Sequence, residues 1–397
     1  MSGARPEPTI AFLSERSDFF GGGQRSLSEL LPALRDRGIR PLAILPGAGP
    51  VSEALASQRL EWADLAVPPL SAGAGLEACR ALARLVRLVR RRGVGLLHSD
   101  SPRTALYSGL AARLTHRPHV WHLRASLASS ALADRLLVSL SDRIIAVSRA
   151  AAGRSAATLG CARTRIVPTG LPPIDFLTRT EARARLALPE DAFVCGVIGR
   201  VERDKGRDDA LGALPEVRRA SPSALLVFLG PCDPQDRWAD TCFLRAAAAG
   251  LSGAVRLAGE HREAARLLKA FDVVLHPSRH EALPRVLIEA LFASVPVVAA
   301  GVGGVPEIIE SGTSGLLVAP CDPLALGRAA ASLARDPEKA RRLARAGLLR
   351  AHELFGLERM ARGILSVYDE LLPPAREAPV PVPGRGSPHG GAHEAAP

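Results

Sequence analysis

Short apolar runs alternate with longer amphipathic stretches along most of the chain, and this alternation restricts the fold to parallel sheet covered by helices. TIAFLS is followed by SLSELLPALRDRG, and IRPLAILP by VSEALASQRL; further strands are expected at 94–99 (VGLLHS), 119–124 (HVWHLR), 143–148 (RIIAVS) and 165–170 (RIVPTG). GLPPIDFLTRT then interrupts the pattern with prolines and no periodicity, and reads as a linker. A second series begins at AFVCGVIGRV and continues through ALLVFLG, AVRLAG, DVVLHPS, PVVAAG and GLLV. Six strands complete a second doubly wound, Rossmann-like domain. The length of 397 residues agrees, since it exceeds one ordinary core and suits two of about 150–200 residues each. The expected division is an α/β domain over 1–175 and another over 176–372 with terminal helices. Residues 373–397 form a Pro-, Gly- and Ala-rich tail expected to be disordered.

Composition narrows the class. Cys79, Cys161, Cys195, Cys232, Cys242 and Cys321 lie far apart, without C-x-x-C spacing or an adjacent His pair. They are expected to be reduced, mostly buried thiols. The start MSGARPEPTIAFLSE lacks a cationic segment followed by an apolar one, and no run approaches the ~18–20 apolar residues of a membrane span. The expected location is the cytoplasm.

The net charge of +11 is unevenly placed. Residues 1–175 carry 23 arginines against 13 acids, whereas 176–397 carry 28 basic residues against 27 acids. With 4% aromatics, no zinc-finger spacing and no RNP-like run, nucleic acid is not the expected partner. An anionic lipid surface or a lipid-diphosphate acceptor fits better, which would make the protein peripheral at the inner face of a membrane. The stretch 79–93, CRALARLVRLVRRRG, puts Arg80, Arg84, Arg87 and Arg91 along one helical face, with Leu82, Leu85, Val86 and Val89 turned elsewhere. A membrane-surface helix and an ordinary helix packed on the sheet both satisfy that pattern.

Three segments carry chemistry. GRVERDK, 199–205, follows the apolar strand FVCGVI, so Arg200 and Lys205 flank a loop at a strand's carboxyl end, where open α/β sheets bind ligands. Two cations there can offset charge developing on a departing diphosphate, as a metal ion does elsewhere. A solvated turn is the alternative, but Lys205 is one of only three lysines in a chain that otherwise writes Arg. In the second segment, 277–309, Glu281 and Glu289 stand eight apart and Pro284 is placed to open a helix between them, with Glu289 expected two turns inside. They can accept hydrogen bonds from sugar and ribose hydroxyls, or serve as a capping acid and a solvated helix position. Glu289 lies in VLIEALFA, where the neighbours are apolar on most sides, so a ligand or a cation is expected beside it. The third segment is FFGGGQRSLSELLPAL, where Gly21, Gly22 and Gly23 separate strand from helix without forming a G-x-G-x-x-G fingerprint. That omission disfavours an NAD-dependent oxidoreductase.

Together these residues resemble the retaining glycosyltransferases of the GT-B fold known as group 1, or family 4, over the chain up to about residue 372 and most strongly from 193 to 322. The family's G-R-x-x-x-x-K loop matches Gly199, Arg200 and Lys205, and its E-x₇-E element matches Glu281 and Glu289 within EALPRVLIEA. DRIIAVSRA, RIVPTG, the PVVAAGVGGVPEII run and SGTSGLLVAPCDPLAL add further matches. Thr169, Ala282 and Ser294 depart from the usual asparagine and two glycines, which bears on loop geometry and substrate preference.

The resemblance implies hexosyl transfer, with retention and without a metal cofactor, from a UDP- or GDP-sugar to a glycan or lipid-linked acceptor. The donor would lie in the C-terminal domain and the acceptor in the N-terminal one. Donor contacts would be Gly22, Gly23, Gly199, Arg200, Lys205, Glu281, Leu283, Val286 and Glu289. Arg200, Lys205, Glu281 and a strand-end histidine facing the sugar would act in catalysis; His122 is the best match for that histidine, and His98 is a second candidate. A sugar-nucleotide epimerase on the same architecture and a non-catalytic sugar-nucleotide-binding protein at the membrane are the competing readings.

Overall fold

The structure, a computed structural model, describes residues 7–372 apart from 20, 70–74, 125–130, 154–160 and 234. The tail expected to be disordered lies outside the described residues. The first sheet has the strand order β3-β2-β1-β4-β5-β6-β7. Its strands are β1 (Thr9–Leu13), β2 (Arg40–Leu45), β3 (Glu61–Asp64), β4 (Val94–Ser99), β5 (His119–Leu123), β6 (Arg143–Ala146) and β7 (Thr164–Ile166). The second has the order β10-β9-β8-β11-β12-β13, from β8 (Val194–Ile198), β9 (Leu225–Leu229), β10 (Val255–Gly259), β11 (Val273–His276), β12 (Val297–Ala300) and β13 (Leu316–Val318). Every strand pair is parallel.

Parallel strands covered on both faces read as unbroken apolar runs, and β1 and β9 are buried at all five positions. Alternate residues then serve opposite layers. Ile10 and Phe12 pack under the helices Gly22–Arg35, Pro50–Ser57 and Leu357–Asp369, while Ala11 and Leu13 pack under Gly75–Arg91 and Pro102–Thr115. Strand β3 was not anticipated: EWAD is a four-residue edge strand without a fully buried position, so it carries no apolar signal.

The helix Leu357–Asp369 falls in the range assigned to the second domain but packs on the first sheet through Met360, Ile364, Val367 and Tyr368. The chain crosses back at Gly356, beside its outward crossing at Leu171. Leu171 donates its N–H to Phe355 O at 2.8 Å, and Leu357 returns one to Leu171 O at 2.9 Å. The helix Gly75–Arg91 buries Ala81, Leu85 and Val89 on the first sheet and leaves Arg80, Arg84, Arg87 and Arg91 exposed. The cysteines are less buried than expected: Cys195 and Cys242 are buried, Cys232 is intermediate, and Cys79 and Cys321 are exposed, all five free.

Candidate functional site

In each sheet the strand order reverses once, between β1 and β4 and between β8 and β11. Ligands of open α/β sheets bind beyond the strand ends at such points. The loops leaving those ends line one cavity of about 410 Å³. The nine residues expected to hold a donor all lie in its wall: Gly22 and Gly23 from the first domain, and Gly199, Arg200, Lys205, Glu281, Leu283, Val286 and Glu289 from the second. A cavity of similar volume, lined by Lys269, Phe271, Pro296 and Leu333, sits at the amino ends of β11 and β12, away from the strand ends where such sheets bind ligands.

Backbone approach explains how the charged residues converge. Gly206 has φ +72°, and a Cβ there would stand 2.1 Å from Pro277 O, so only glycine lets the Arg203–Lys205 turn lie against the loop after β11. The N–H of Arg279 donates to Asp204 O at 2.9 Å and joins the two loops. Lys205 Nζ is thereby placed 2.6 Å from Glu281 Oε1, and His276 Nε2 donates to the same oxygen at 3.1 Å. Gly303 performs a similar service on the other side: its φ is +51°, and a Cβ would stand 1.8 Å from Glu281 O. Burial raises the Glu281 carboxyl, but the His276 hydrogen bond and the Lys205 ammonium outweigh it and hold the pKa at about 2. Both bonds use Oε1, which leaves Oε2 without a hydrogen bond among the described residues.

Pro284 caps the helix Arg285–Phe292, so Glu289 lies one turn inside rather than the expected two. The cation expected beside it is Arg285, whose Nε donates to Glu289 Oε1 at 2.7 Å. Its Nη1 and Nη2 donate to the two oxygens of Glu29 at 2.6 and 2.7 Å, across the cleft on Gly22–Arg35. Burial opposes the charge of Arg285, yet Glu29 and Glu289 raise its pKa. Arg200 forms an ion pair with Glu202 at 2.8 Å in the cavity wall.

His122 is completely buried in β5 and does not line this cavity. Its Nδ1 lies 3.2 Å from His98 Nε2 and 3.4 Å from Arg124 Nη2, and Tyr368 Oη lies 2.8 Å from His98 Nδ1. A guanidinium can only donate, so His122 Nδ1 accepts; His98 then donates through Nε2 and accepts the Tyr368 hydroxyl proton at Nδ1. Burial pushes both imidazoles well below their usual pKa and keeps them neutral. Two residues on, Arg124 does reach the cavity wall.

Arg124, His276 and the Glu29–Arg285 pair were not found from sequence. Arg285 had a signal, four residues before Glu289 on one helix. Glu29 had none, because its partner is 256 positions away.

Residues 178–350 match the family described as glycosyl transferases group 1, and residues 20–173 match Glycosyltransferase Family 4. The chain is similar to D-inositol 3-phosphate glycosyltransferase 1 of Catenulispora acidiphila, 32% identical over 62% of this chain and 61% of that protein. It is also similar to the lipopolysaccharide core biosynthesis mannosyltransferase LpsB of Rhizobium meliloti, 31% identical over 60% of this chain and 68% of that protein. The chain thus spans about three fifths of the inositol phosphate enzyme's length. Among solved structures, Anabaena Alr3699/HepE in complex with UDP-glucose superposes with a TM-score of 0.80, at 23% identity, over 91% of this chain and 100% of that one. At that identity the likeness shows the fold.

The depressed pKa of Glu281 fixes a pH dependence. A carboxyl at about 2 in the folded chain and near its ordinary 4.5 when unfolded adds stability that is complete above about pH 4.5 and is lost as pH falls toward 2. Replacing Glu281→Gln should therefore cost most stability near neutral pH, with the gap to wild type narrowing on acidification in urea-unfolding series. A gap that stays constant from about pH 6 to about pH 3 would contradict this assignment.

Proposed function

Because the chain belongs to the group 1, family 4 glycosyltransferases, we propose that it moves a hexosyl group from a UDP- or GDP-sugar to a hydroxyl of a glycan or lipid-linked acceptor, with retention of configuration and without a metal ion. The carrying observation is the cavity at the two strand-order reversals, where Arg200 and Lys205 share a wall with the glycine loop that opens the helix Gly22–Arg35. The loop offers backbone N–H groups to a diphosphate, and the two cations offset the charge that grows on it as its bond to the sugar breaks.

Glu281 and Glu289 each retain one carboxylate oxygen without a hydrogen bond among the described residues, which suits the hydroxyls of the sugar and of the ribose. In the proposed step the bond from sugar C1 to the diphosphate oxygen breaks and a bond from C1 to the acceptor oxygen forms. The hydroxyl proton leaves with the nucleotide diphosphate. The two cations would supply beside the diphosphate the positive charge that a metal ion supplies elsewhere. The Anabaena structures contain UDP and UDP-glucose, which makes uridine donors the first to screen.

A membrane surface as the place of work is supported by the outer layer of the first sheet. The helices Gly75–Arg91, Pro102–Thr115 and Ala131–Ser139 expose Leu76, Leu110, Leu114, Leu132 and Leu136 among the exposed Arg80, Arg84, Arg87, Arg113 and Arg135. The one exposed acid described on these helices is Glu77. Leucines interleaved with arginines fit an anionic bilayer, at about 1 kcal/mol per basic residue near the surface. No described helix is long and apolar enough to cross a membrane.

The test of activity is acceptor-dependent release of nucleotide diphosphate from a panel of UDP- and GDP-sugars, with membrane extract as acceptor source and EDTA present. Release from one donor is expected, reduced roughly 100-fold or more in Arg200→Ala/Lys205→Ala. Acceptor-independent release would indicate an epimerase, binding without release a scaffold, and no binding of any donor would remove this reading. For the surface, co-sedimentation with phosphatidylglycerol-containing vesicles is expected, weakened by Arg84→Glu/Arg87→Glu and by salt; equal recovery with neutral phosphatidylcholine vesicles would contradict it.

A further inference from the structure

Arg124 follows the last residue of β5 and stands in the wall of the cavity. Its guanidinium has five N–H groups, but among the described residues its one hydrogen bond is the 3.4 Å contact from Nη2 to the neutral His122 Nδ1, and its Nε is buried without a partner there. The layer beneath it cannot supply a counter-charge. His122 and His98 are both neutral, and the chain of hydrogen bonds ends at the Tyr368 hydroxyl.

The carboxylates nearby do not neutralise it either. Glu29 has both oxygens on Arg285. Asp100 makes no ion pair with Arg124, and burial pushes its carboxyl up to about 6 against the pull of that guanidinium. Burial also lowers the pKa of Arg124, yet a guanidinium stays charged at any pH a protein tolerates. A partly buried cation without a hydrogen-bonded anion carries a cost, and a ligand that supplies the anion reduces it.

On the proposed activity, the ligand of this cavity is a nucleotide-sugar, and we infer that Arg124 binds an anionic oxygen pair of that donor through its planar fork. Two sources share this chemistry. One is the diphosphate, which Arg124 would grip from the first domain while Arg200 and Lys205 grip it from the second. The other is a carboxylate carried by the transferred sugar, as in a uronic acid. Arg124 is then a donor-contact residue of the first domain, and it makes donor affinity depend on both domains.

Calorimetry with UDP, UDP-glucose and UDP-glucuronate, and in parallel GDP, GDP-mannose and GDP-mannuronate, separates the two sources. Against wild type, Arg124→Gln should weaken binding about 10- to 100-fold, the range for a charge-assisted hydrogen-bond pair. Loss shared by all members of the bound series places the diphosphate on Arg124. Loss confined to the uronate member places the sugar carboxylate there. Arg124→Lys, which keeps the charge without the fork, should fall between wild type and glutamine, and thermal melting of each variant checks folding. If the glutamine variant does not fold, lysine alone must weaken binding at unchanged melting temperature. Wild-type affinity for the whole bound series in a folded Arg124→Gln or Arg124→Lys overturns the inference and leaves the proposed function standing. Absence of nucleotide-sugar binding by wild type removes both.

Discussion

Arg285 commits its whole guanidinium to two carboxylates that belong to different domains: Nη1 and Nη2 to Glu29 and Nε to Glu289. Buried ion pairs of this kind add little net stability over an apolar replacement, but loss of one partner leaves an uncompensated charge that costs about 3–5 kcal/mol. The interaction therefore acts as a constraint on geometry. It holds the helix Gly22–Arg35 against the helix Arg285–Phe292, with Gly22 so near that an added Cβ would lie 3.7 Å from Arg285 Cδ. Ser148 Oγ donates to Ala282 O at 2.7 Å, and the backbone N–H groups of Arg149 and Ala150 donate to the Glu307 carboxylate at 2.9 and 3.1 Å, so the cleft is braced on the segment after β6 as well. Next to these contacts the two covalent crossings at Leu171 and Gly356 are hydrogen-bonded to each other. The cavity thus has walls from both domains with a defined spacing.

Charge inside that cavity is arranged in partly satisfied groups. Lys205 is held by Glu281, Glu289 by Arg285, and Arg200 by Glu202. The two more buried pairings, Lys205–Glu281 and Glu289–Arg285, restrain their side chains before any ligand arrives, which reduces the reorganisation needed on binding. Arg124 differs in having a neutral histidine as its single hydrogen-bond partner among the described residues. A ligand with several negative oxygens would redistribute these pairings without new side chains having to be brought in.

The fold was largely legible because parallel strands buried on both faces leave contiguous apolar runs, as most of the strands do here. EWAD and TRI, at the two edges of the first sheet, do not. The return of the last helix to the first sheet was illegible, because periodicity reports that a helix has an apolar face and says nothing about which sheet covers it. In the cavity wall, local patterns sufficed to find residues that sit on one loop, as in Gly199 to Lys205, or on one loop and the helix it opens, as in Glu281 and Glu289. They failed where the geometry depends on residues distant in sequence. A histidine in an apolar strand points to either layer with equal economy, and His122 points into the core, while Arg124, the last residue of the expected strand, reaches the cavity.

On the proposed function, the loops at both strand-order reversals form one nucleotide-sugar site. Amide hydrogen exchange of the intact protein with and without its best nucleotide-sugar tests this directly, because it reports each loop separately. Slowed exchange is expected in the Gly21–Gly23 segment of the first domain together with Gly199–Lys205 and the start of the Arg285–Phe292 helix in the second. Protection confined to one domain, or found instead around Phe271 and Leu333 at the amino ends of β11 and β12, would contradict it.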